Sequence, residues 1–559
     1  MTTHKDYLKR WTSLKNERST WDSHWREISD YLLPRSGRFF TKKVNDGGKR
    51  HNNIYDNTAT RSLRVLAAGM MAGMTSPARP WFRLATQNED LMDSDAVKLW
   101  LHNVTRQMLN VFSRSNTYRA LHTMYEELGA FGTAVSVVTP DYDKVIHHHP
   151  LTIGEYAIAT DGRGRVDTLY REIEMTVHQV VAEFGEENVS QAVKNLHDRG
   201  SWDSWVTVIH AIQPNMTREY GKKDDKNMPY KSCYFEHARD NDKFLRESGY
   251  NYFPVVAPRW HVSGGSADIY GLSPAMESLG DIKQLQHEQL RKAQGIDYQT
   301  KPPMQVPTAL KNQGINSLPG GITYVDTTTQ NSGIRTAFEV NLNLQYLLQD
   351  IEDVRGRISG SFYADLFLML ANSDMGRMTA TEIAERHEEK LLMLGPVLER
   401  LHNELLDPLI EMTFMRMLEA GIVPEPPIEM QGEDINVEFV SMLSQAQKAV
   451  GTNSVDRFVG NLGAVANMKP EVLDKFNVDE WADMYSDMLG VDPRLIAPDS
   501  QVEQIRQARA QAQQQQMQAA QMAQGAETLQ KLGRIPTQGN ESNAGSDVIN
   551  MFSGYGAPA

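Results

Sequence analysis

Cysteine is almost missing from this chain. Cys233 is the only one in 559 residues, so no disulfide can form within the chain, and a lone thiol fits either assembly under reducing conditions or simple burial. Long apolar runs are missing too. No stretch reaches the about 18 apolar residues of a membrane-spanning helix, and Met1-Thr-Thr-His-Lys5 has no signal-peptide pattern. The expectation is a soluble chain made in the cytoplasm, with no membrane partner. The motifs of common enzymes are absent as well. There is no G-x-x-x-x-G-K-S/T phosphate loop and no G-x-S-x-G nucleophile elbow, and His287-Glu288 and His387-Glu388 lack the second histidine of H-E-x-x-H. Asp281, Asp350, Glu352 and Asp353 are the dispersed carboxylates a nuclease would need, but on helices such residues are ordinarily a solvated face or partners of nearby Arg and Lys. No catalysis, cofactor or metal is expected. Positive charge is also short: 57 Lys and Arg face 71 Asp and Glu, for a net charge of -14. That balance argues against a protein that grips nucleic acid, yet a conduit for a polyanion must avoid deep binding sites and tolerates an acidic wall.

The residues present suggest about three to five domain-sized pieces and an α+β fold that is predominantly helical. Residues 5 to 33 place Tyr7, Leu8, Trp11, Leu14, Trp21, Trp25, Ile28, Tyr31 and Leu32 at helical spacing, a pattern of core packing or subunit contact. The basic loop of Lys42, Lys43, Lys49, Arg50 and His51 reads as solvated surface or phosphate contact. Residues 58 to 74 form an Ala-, Gly- and Met-rich helix, closed by Pro77 and Pro80, and residues 96 to 113 and 118 to 129 give two amphipathic helices. From Gly132 the period shortens to strands: 134–138, 145–149, 155–159, 165–172, 206–212, 232–236 and 253–257, with a helix from Thr176 into Phe184. His147, His148 and His149 cannot all converge on a metal, because successive strand residues face opposite ways. Asp141 and Asp143 read as turn residues.

The stretch from Ser273 to Gly421 organises the rest. Ser273 and Pro274 open a helix whose apolar positions are Met276, Leu279, Ile282, Leu285, Ala293 and Ile296. A second rod repeats Leu344, Leu347, Leu348, Ile351, Val354 and Ile358. Between them, Pro302, Pro303, Pro307, Pro319, Gly320 and Gly321 punctuate an insert with one strand signal, Ile322 to Val325. An apolar run follows, Phe362, Tyr363, Leu366, Phe367, Leu368, Met369 and Leu370, read as a loop that is either buried core or a projecting apolar surface. A long helix then opens at Thr379 or Thr381 and carries Leu391, Leu394, Leu398, Leu401, Leu405, Leu409 and Met412 to Gly421. Roughly 40 residues would span about 60 Å, and Pro396 and Pro408 predict a bend or a break. Beyond residue 440 come helices near 441–450, 456–466 and 478–489, a Gln/Ala-rich tract over 501–524 and a Gly/Ser/Asn-rich tail from Pro536.

Several of these segments, Ile269-Tyr-Gly-Leu-Ser-Pro-Ala-Met-Glu-Ser-Leu-Gly-Asp-Ile-Lys283, Ala364-Asp-Leu-Phe-Leu-Met-Leu370, Met378-Thr-Ala-Thr-Glu-Ile383 and Glu389-Lys-Leu-Leu-Met-Leu-Gly-Pro-Val-Leu398, resemble the head-to-tail connector, or portal, proteins of short-tailed bacteriophages. So do Ser76-Pro-Ala-Arg-Pro-Trp-Phe-Arg83 and Leu128-Gly-Ala-Phe-Gly-Thr133. The resemblance covers most of residues 1 to 430 and fades after about 440. It implies N-terminal helices and an α+β wing over 1–272, stem helices at 273–300 and 341–361, a clip at 301–340, a tunnel loop at 362–378, a long kinked helix returning to the wing at 379–440, a helical crown at 441–500, and a C-terminal helix and tail at 501–559. It further implies a ring of about twelve copies at one capsid vertex of the virion, assembled in the host cytoplasm. The partners it implies are double-stranded DNA in the channel, the terminase large subunit that hydrolyses ATP, capsid and scaffolding proteins, and tail adaptor or tube proteins. Phe362, Tyr363, Leu366, Phe367, Leu368, Met369, Leu370 and Arg377 would then belong to the channel constriction, with Lys301 and Arg335 as further phosphate contacts. A scaffold-associated or tail protein without a channel is the competing structural role.

Overall fold

The computed structural model describes residues 3–39, 53–86, 88, 91, 94–222, 224–237, 243–263, 268–306, 311, 335–336, 344–371, 393–430, 432, 434–440, 458–465, 469, 471, 476–482 and 499–532. They divide into two compact units, residues 1–91 with 100–475, and residues 92–99 with 476–559. The fold mixes helix and sheet.

The first unit begins with helix α1, His4–Tyr31, whose first turn is closed by a capping box between Thr3 and Asp6. Helix α2 spans Thr58–Met74, strand β1 Phe82–Thr86, helix α3 Asp95–Arg114, of which residues 100–114 belong to this unit, and helix α4 Thr117–Phe131. The strands β2 (Val135–Asp141), β3 (Val145–Leu151), β4 (Tyr156–Thr160), β5 (Val166–Thr176), β6 (Trp205–Pro214), β7 (Tyr230–Glu236), β8 (Arg246–Tyr250) and β9 (Val255–Val256) follow, interrupted by helices α5 (Val177–Phe184) and α6 (Gln191–Asp198). They pair as an antiparallel five-stranded sheet, β4-β5-β6-β7-β8, and a three-stranded sheet, β3-β2-β9. Strand β8 is the one strand of this sheet missing from the sequence expectations, because Arg246-Glu-Ser-Gly-Tyr250 alternates too weakly to register.

Period-2 alternation gives the larger sheet two apolar faces, and a helical layer covers each. Tyr7, Trp11 and Leu14 of α1 bury against Tyr170, Ile209, Ala211, Cys233 and Phe235. The aromatic stripe of α1 is therefore core packing within the protomer. On the other face Val177, Val180 and Phe184 of α5 and Val193 of α6 pack on Val208. Burial pushes the Cys233 thiol up to about 11, so this thiol stays protonated and unreactive at neutral pH.

A buried carboxyl closes the end of α4. Glu127 accepts from Thr152 Oγ1 at 2.8 Å and from the Ile153 amide at 3.3 Å, yet burial still pushes it up to about 8. A folded value above the unfolded one means the protonated form is favoured in the native state. Its stabilising contribution is full below the unfolded value and is lost as pH rises toward about 8. Relative to a Glu127→Gln variant, the wild-type protein should lose about 1.4 kcal/mol per pH unit between about 5 and 8. Urea titrations of both proteins across that window check this, and a pH-independent difference contradicts it.

The long-helix region is described from residue 393. Helix runs from 393 to 401, a π-helical turn covers His402–Leu406, and helix α11 spans Asp407–Glu419. Pro408 donates no hydrogen bond and crowds the carbonyl four residues back, and the wide turn relieves that crowding where a bend was expected. Gly421, at φ 69°, ends the helix as its sequence position indicates. Strand β12, Ile435–Phe439, then returns to pair antiparallel with β1. In the second unit the Gln/Ala tract forms helix α12, Asp499–Leu532. There Arg506 makes a two-pronged pair with Asp479 at 2.7 Å through each oxygen.

Candidate functional site

The two rods of the organising stretch are present and run side by side. After the short helix α7 (Pro274–Glu277), whose amide at Met276 donates to the Ser273 hydroxyl at 3.1 Å, α8 spans Leu279–Thr300; the second rod, α9, spans Leu344–Ser361. Cross-links fix their direction. Arg357 pairs with Asp281 at 3.5 Å, and Glu288 sits against Asp350, so that burial and this neighbouring carboxylate raise the Glu288 carboxyl. Rising numbers on one rod meet falling numbers on the other, which makes the pair antiparallel. Strands β10 (Met304–Gln305) and β11 (Arg335–Thr336) pair antiparallel at the mouth of the insert, so the chain leaves and re-enters at one place. The strand signal at Ile322–Val325 lies outside the described residues. Lys301 is exposed at the end of α8; β11 contains Arg335.

A polar hub that sequence reading missed joins both rods to α2. Gln286 Oε1 accepts from the Tyr55 and Asp56 amides at 2.6 and 2.8 Å, and its Nε2 donates to the Asp56 carbonyl at 2.9 Å. The Asp56 carboxylate, 7% exposed, accepts from Thr58, from Gln289 Nε2 at 3.0 Å and from Arg355 at 2.8 and 3.1 Å. Burial alone would raise this carboxyl, but the Thr58 and Arg355 hydrogen bonds outweigh it and the net shift is downward. The signal was in the sequence as Asp56-Asn-Thr58 ahead of a helix and as glutamines beside an apolar stripe.

The apolar stripes behave differently along the rods. Near the body Ile282, Leu285, Ile351, Val354 and Ile358 are at most 1% exposed, whereas toward the insert Ile296 is 40% exposed, Leu347 is half-buried and Leu348, at the edge of the stripe, is 47% exposed. Among the described residues none covers Ile296 or Leu348; Tyr346, 73% exposed, lies on the opposite side of α9.

The segment after α9 departs from the expected loop. Tyr363 takes a positive φ of 53°, and α10 (Ala364–Ala371) starts immediately after it, because Ala, Leu and Met are strong helix formers. Phe362, Leu366 and Phe367 are 0%, 1% and 5% exposed. Phe367 lies so close to Gly69 of α2 that a Cβ there would overlap its ring. These three side chains are core of the protomer, which corrects the reading of the whole run as one projecting surface. Tyr363 is half-buried with its ring 6.2 Å from that of Trp260. Leu368 is 41% exposed and, with Asp365 and Arg355, lines an open cavity of about 830 Å³. The side chains of Met369 and Leu370, Arg377, the caps Thr379 and Thr381, Leu391, the basic loop 42–51, the helix near 441–450 and the tail from Pro536 lie outside the described residues, as do parts of the helices near 456–466 and 478–489.

The histidine triplet lies on β3 as alternation requires. His148 is buried and its protonation is suppressed, to about 3, by burial and its two neighbours, while the rings of His147 and His149 meet at 4.7 Å on the opposite face. Among the described residues no group of three His, Cys, Asp or Glu side chains is placed to hold a metal ion, and no helix is long and apolar enough to cross a membrane.

Residues 4–496 match the family model described as bacteriophage head to tail connecting protein. A relative named "Probable portal protein" in Bordetella phage BPP-1 is 65% identical over 554 residues, 99% of each chain. The "Portal protein" of Salmonella phage epsilon15 is 48% identical over 497 residues, 89% of each. A chain from the solved neck of an empty gene transfer agent particle matches 78% of this chain and 90% of its own at 10% identity and a TM-score of 0.37, too low to carry an argument.

Proposed function

This chain belongs to the family of bacteriophage head to tail connecting proteins, and on that premise we propose that it works as a portal whose copies close into a ring around a DNA channel in the virion. The observation that carries the ring is the uncovered half of the α8–α9 pair. Two antiparallel rods bury their apolar faces near the body and leave Ile296 on one stripe and Leu348 at the edge of the other exposed toward the insert, and such a stripe needs another helix to cover it. Rods of neighbouring copies supply one. Closed cyclic symmetry then turns each hairpin into a stave of a helical stem with the 301–340 insert at its far end. That insert serves as the clip, docking the terminase large subunit during packaging and tail proteins afterwards, and ATP hydrolysis belongs to the terminase. Residues 1–272 act as wing, 441–500 as crown, and the ring is assembled in the host cytoplasm with capsid and scaffolding proteins.

Within that ring Leu368, Met369 and Leu370 form the apolar part of the constriction, with Arg377 at its edge as a weak phosphate contact. Apolar side chains give phosphates no ion pair, so DNA slides past them with little affinity. Phe362, Leu366 and Phe367 anchor the segment in the core and do not line the channel.

The double variant Ile296→Asp with Leu348→Asp tests the stem. Both positions lie outside the buried half of the rods, so the thermal melt of the protomer should change little, while sedimentation should show rings replaced by monomers. Rings formed as readily as by the wild type would overturn the assignment.

A further inference from the structure

Two stretches that flank the acidic segment 89–95 carry basic residues alone. From Thr58 to Asn88 the sequence holds Arg61, Arg64, Arg79 and Arg83 and no acidic residue, and from Ala96 to Tyr125 it holds Lys98, Arg106, Arg114 and Arg119 and again none. Several arginines elsewhere find carboxylates within the fold, Arg259 with Glu404, Arg355 with Asp56, Arg246 with Glu183 and Arg18 with Asp22, whereas others, such as Arg163 and Arg199, are exposed without one among the described residues. Arg83 reaches across to Glu438 at 2.7 Å. Arg79, Arg106, Arg114 and Arg119 are exposed and make no ion pair among the described residues.

Three of these four flank residues that meet in one aromatic cluster. The rings of Trp81 and Phe112 stack at 5.7 Å, and Trp81 Nε1 donates to the Tyr118 hydroxyl at 3.4 Å; Trp81 and Phe112 are 1% and 0% exposed. Arg79 is two residues from Trp81, Arg114 two from Phe112, and Arg119 follows Tyr118. A rigid aromatic cluster therefore holds the backbone of all three together, between the 77–80 turn and the junction of α3 with α4. Arg106 lies eight residues before Arg114 on α3, about 12 Å along the helix axis. A merely solvated surface mixes both signs of charge, whereas a cluster of unpaired guanidinium groups matches an array of phosphates, which arginine bridges with paired donors.

We propose that this corner, Arg79, Arg114 and Arg119 with Arg106 beside them, is a contact surface for the phosphate backbone of double-stranded DNA. The inference rests on the reading that DNA traverses the ring, and it adds residues far in sequence from the stem, clip and constriction. Contacts of this kind position a duplex without reading its bases, so binding is independent of sequence and weakened by salt.

The test compares wild-type rings, an Arg79→Ala/Arg114→Ala/Arg119→Ala triple variant and the corresponding triple-lysine variant, using fluorescence anisotropy with a short labelled duplex of mixed sequence across a salt series. The alanine variant should sediment as intact rings, bind tenfold or more weakly, and show a shallower dependence on salt, by about 2 to 3 in log–log slope per contacting protomer. The lysine variant, which keeps the charge, should retain most of the affinity. Unchanged affinity and slope in the alanine variant would overturn the proposal. So would an alanine variant that no longer forms rings although the wild type does, since that assigns the patch to a contact between copies. If the wild type forms no rings, the portal reading fails separately, and duplex binding by the protomer that the alanine variant lacks would still support this surface.

Discussion

Replacing Gly132 by alanine should destabilise the protein by about 3 kcal/mol or more, enough to remove a large part of the stability of an ordinary domain. Gly132 ends α4 in the left-handed region at φ 75°, where any side chain is strained. The added Cβ would also overlap the carbonyl of Gly271, and a Cβ on Gly271 would overlap the carbonyl of Gly132. Neither obstacle is a flexible side chain. Both are backbone, tied down by the hydrogen bonds from Trp260 N to the Gly132 carbonyl at 2.8 Å and from Gly271 N to Thr133 Oγ1 at 2.8 Å. The crossing joins the end of α4 to the entry of α7, so its loss loosens the rods from the body. Gly271→Ala should cost a similar amount, and the double variant less than the sum, because both mutations break one contact. Urea denaturation checks this, and a midpoint within experimental error of the wild type for either single variant contradicts it.

A loss of about 2 to 3 kcal/mol is expected for Arg259→Ala, which would leave the half-buried Glu404 carboxylate with Arg400 as its one remaining side-chain partner among the described residues. Arg259 is 4% exposed and reaches Glu404 through Nη2 at 2.7 Å, Nε at 3.1 Å and its own amide at 2.9 Å. Arg400 adds a fourth donor at 2.9 Å. Because Glu404 lies in the π-helical turn, this cluster fastens the long helix at its widened point to the segment that leads into α7. Replacing both partners, Arg259→Met with Glu404→Leu, should recover part of the loss, since the desolvation penalty of the buried charges then disappears. Partly buried pairs are weakly screened, so the effect should persist in high salt. A single variant indistinguishable from the wild type would show that the pair contributes nothing.

The helices and most strands of residues 134–257 were legible because their periods are strong. Leu279, Ile282 and Leu285 repeat at helical spacing over many residues, Ser273-Pro274 marks a start, and Gly421 marks a stop. Three other features were not legible. The run at 364–371 is apolar at almost every position, and such a run carries no periodicity to separate helix from loop; only its Ala, Leu and Met content points to helix. The Asp56 hub and the Arg259–Glu404 pair link residues 230 and 145 positions apart, and one sequence contains no record of which distant polar groups meet. The split of the rods into a buried and an exposed half was hidden as well, since the pattern is the same along both halves and only the extent of the body decides what is covered.

A single-particle cryo-electron microscopy reconstruction of the purified, assembled protein would show whether the α8–α9 hairpins close into a ring. It should show a ring of about twelve copies with an open axial pore, Ile296 and Leu348 buried between rods of adjacent copies, and Leu368 with the residues that follow it pointing into the lumen. Monomers, open filaments, or a ring whose α8 and α9 face outward with Ile296 and Leu348 still in solvent would contradict that assembly.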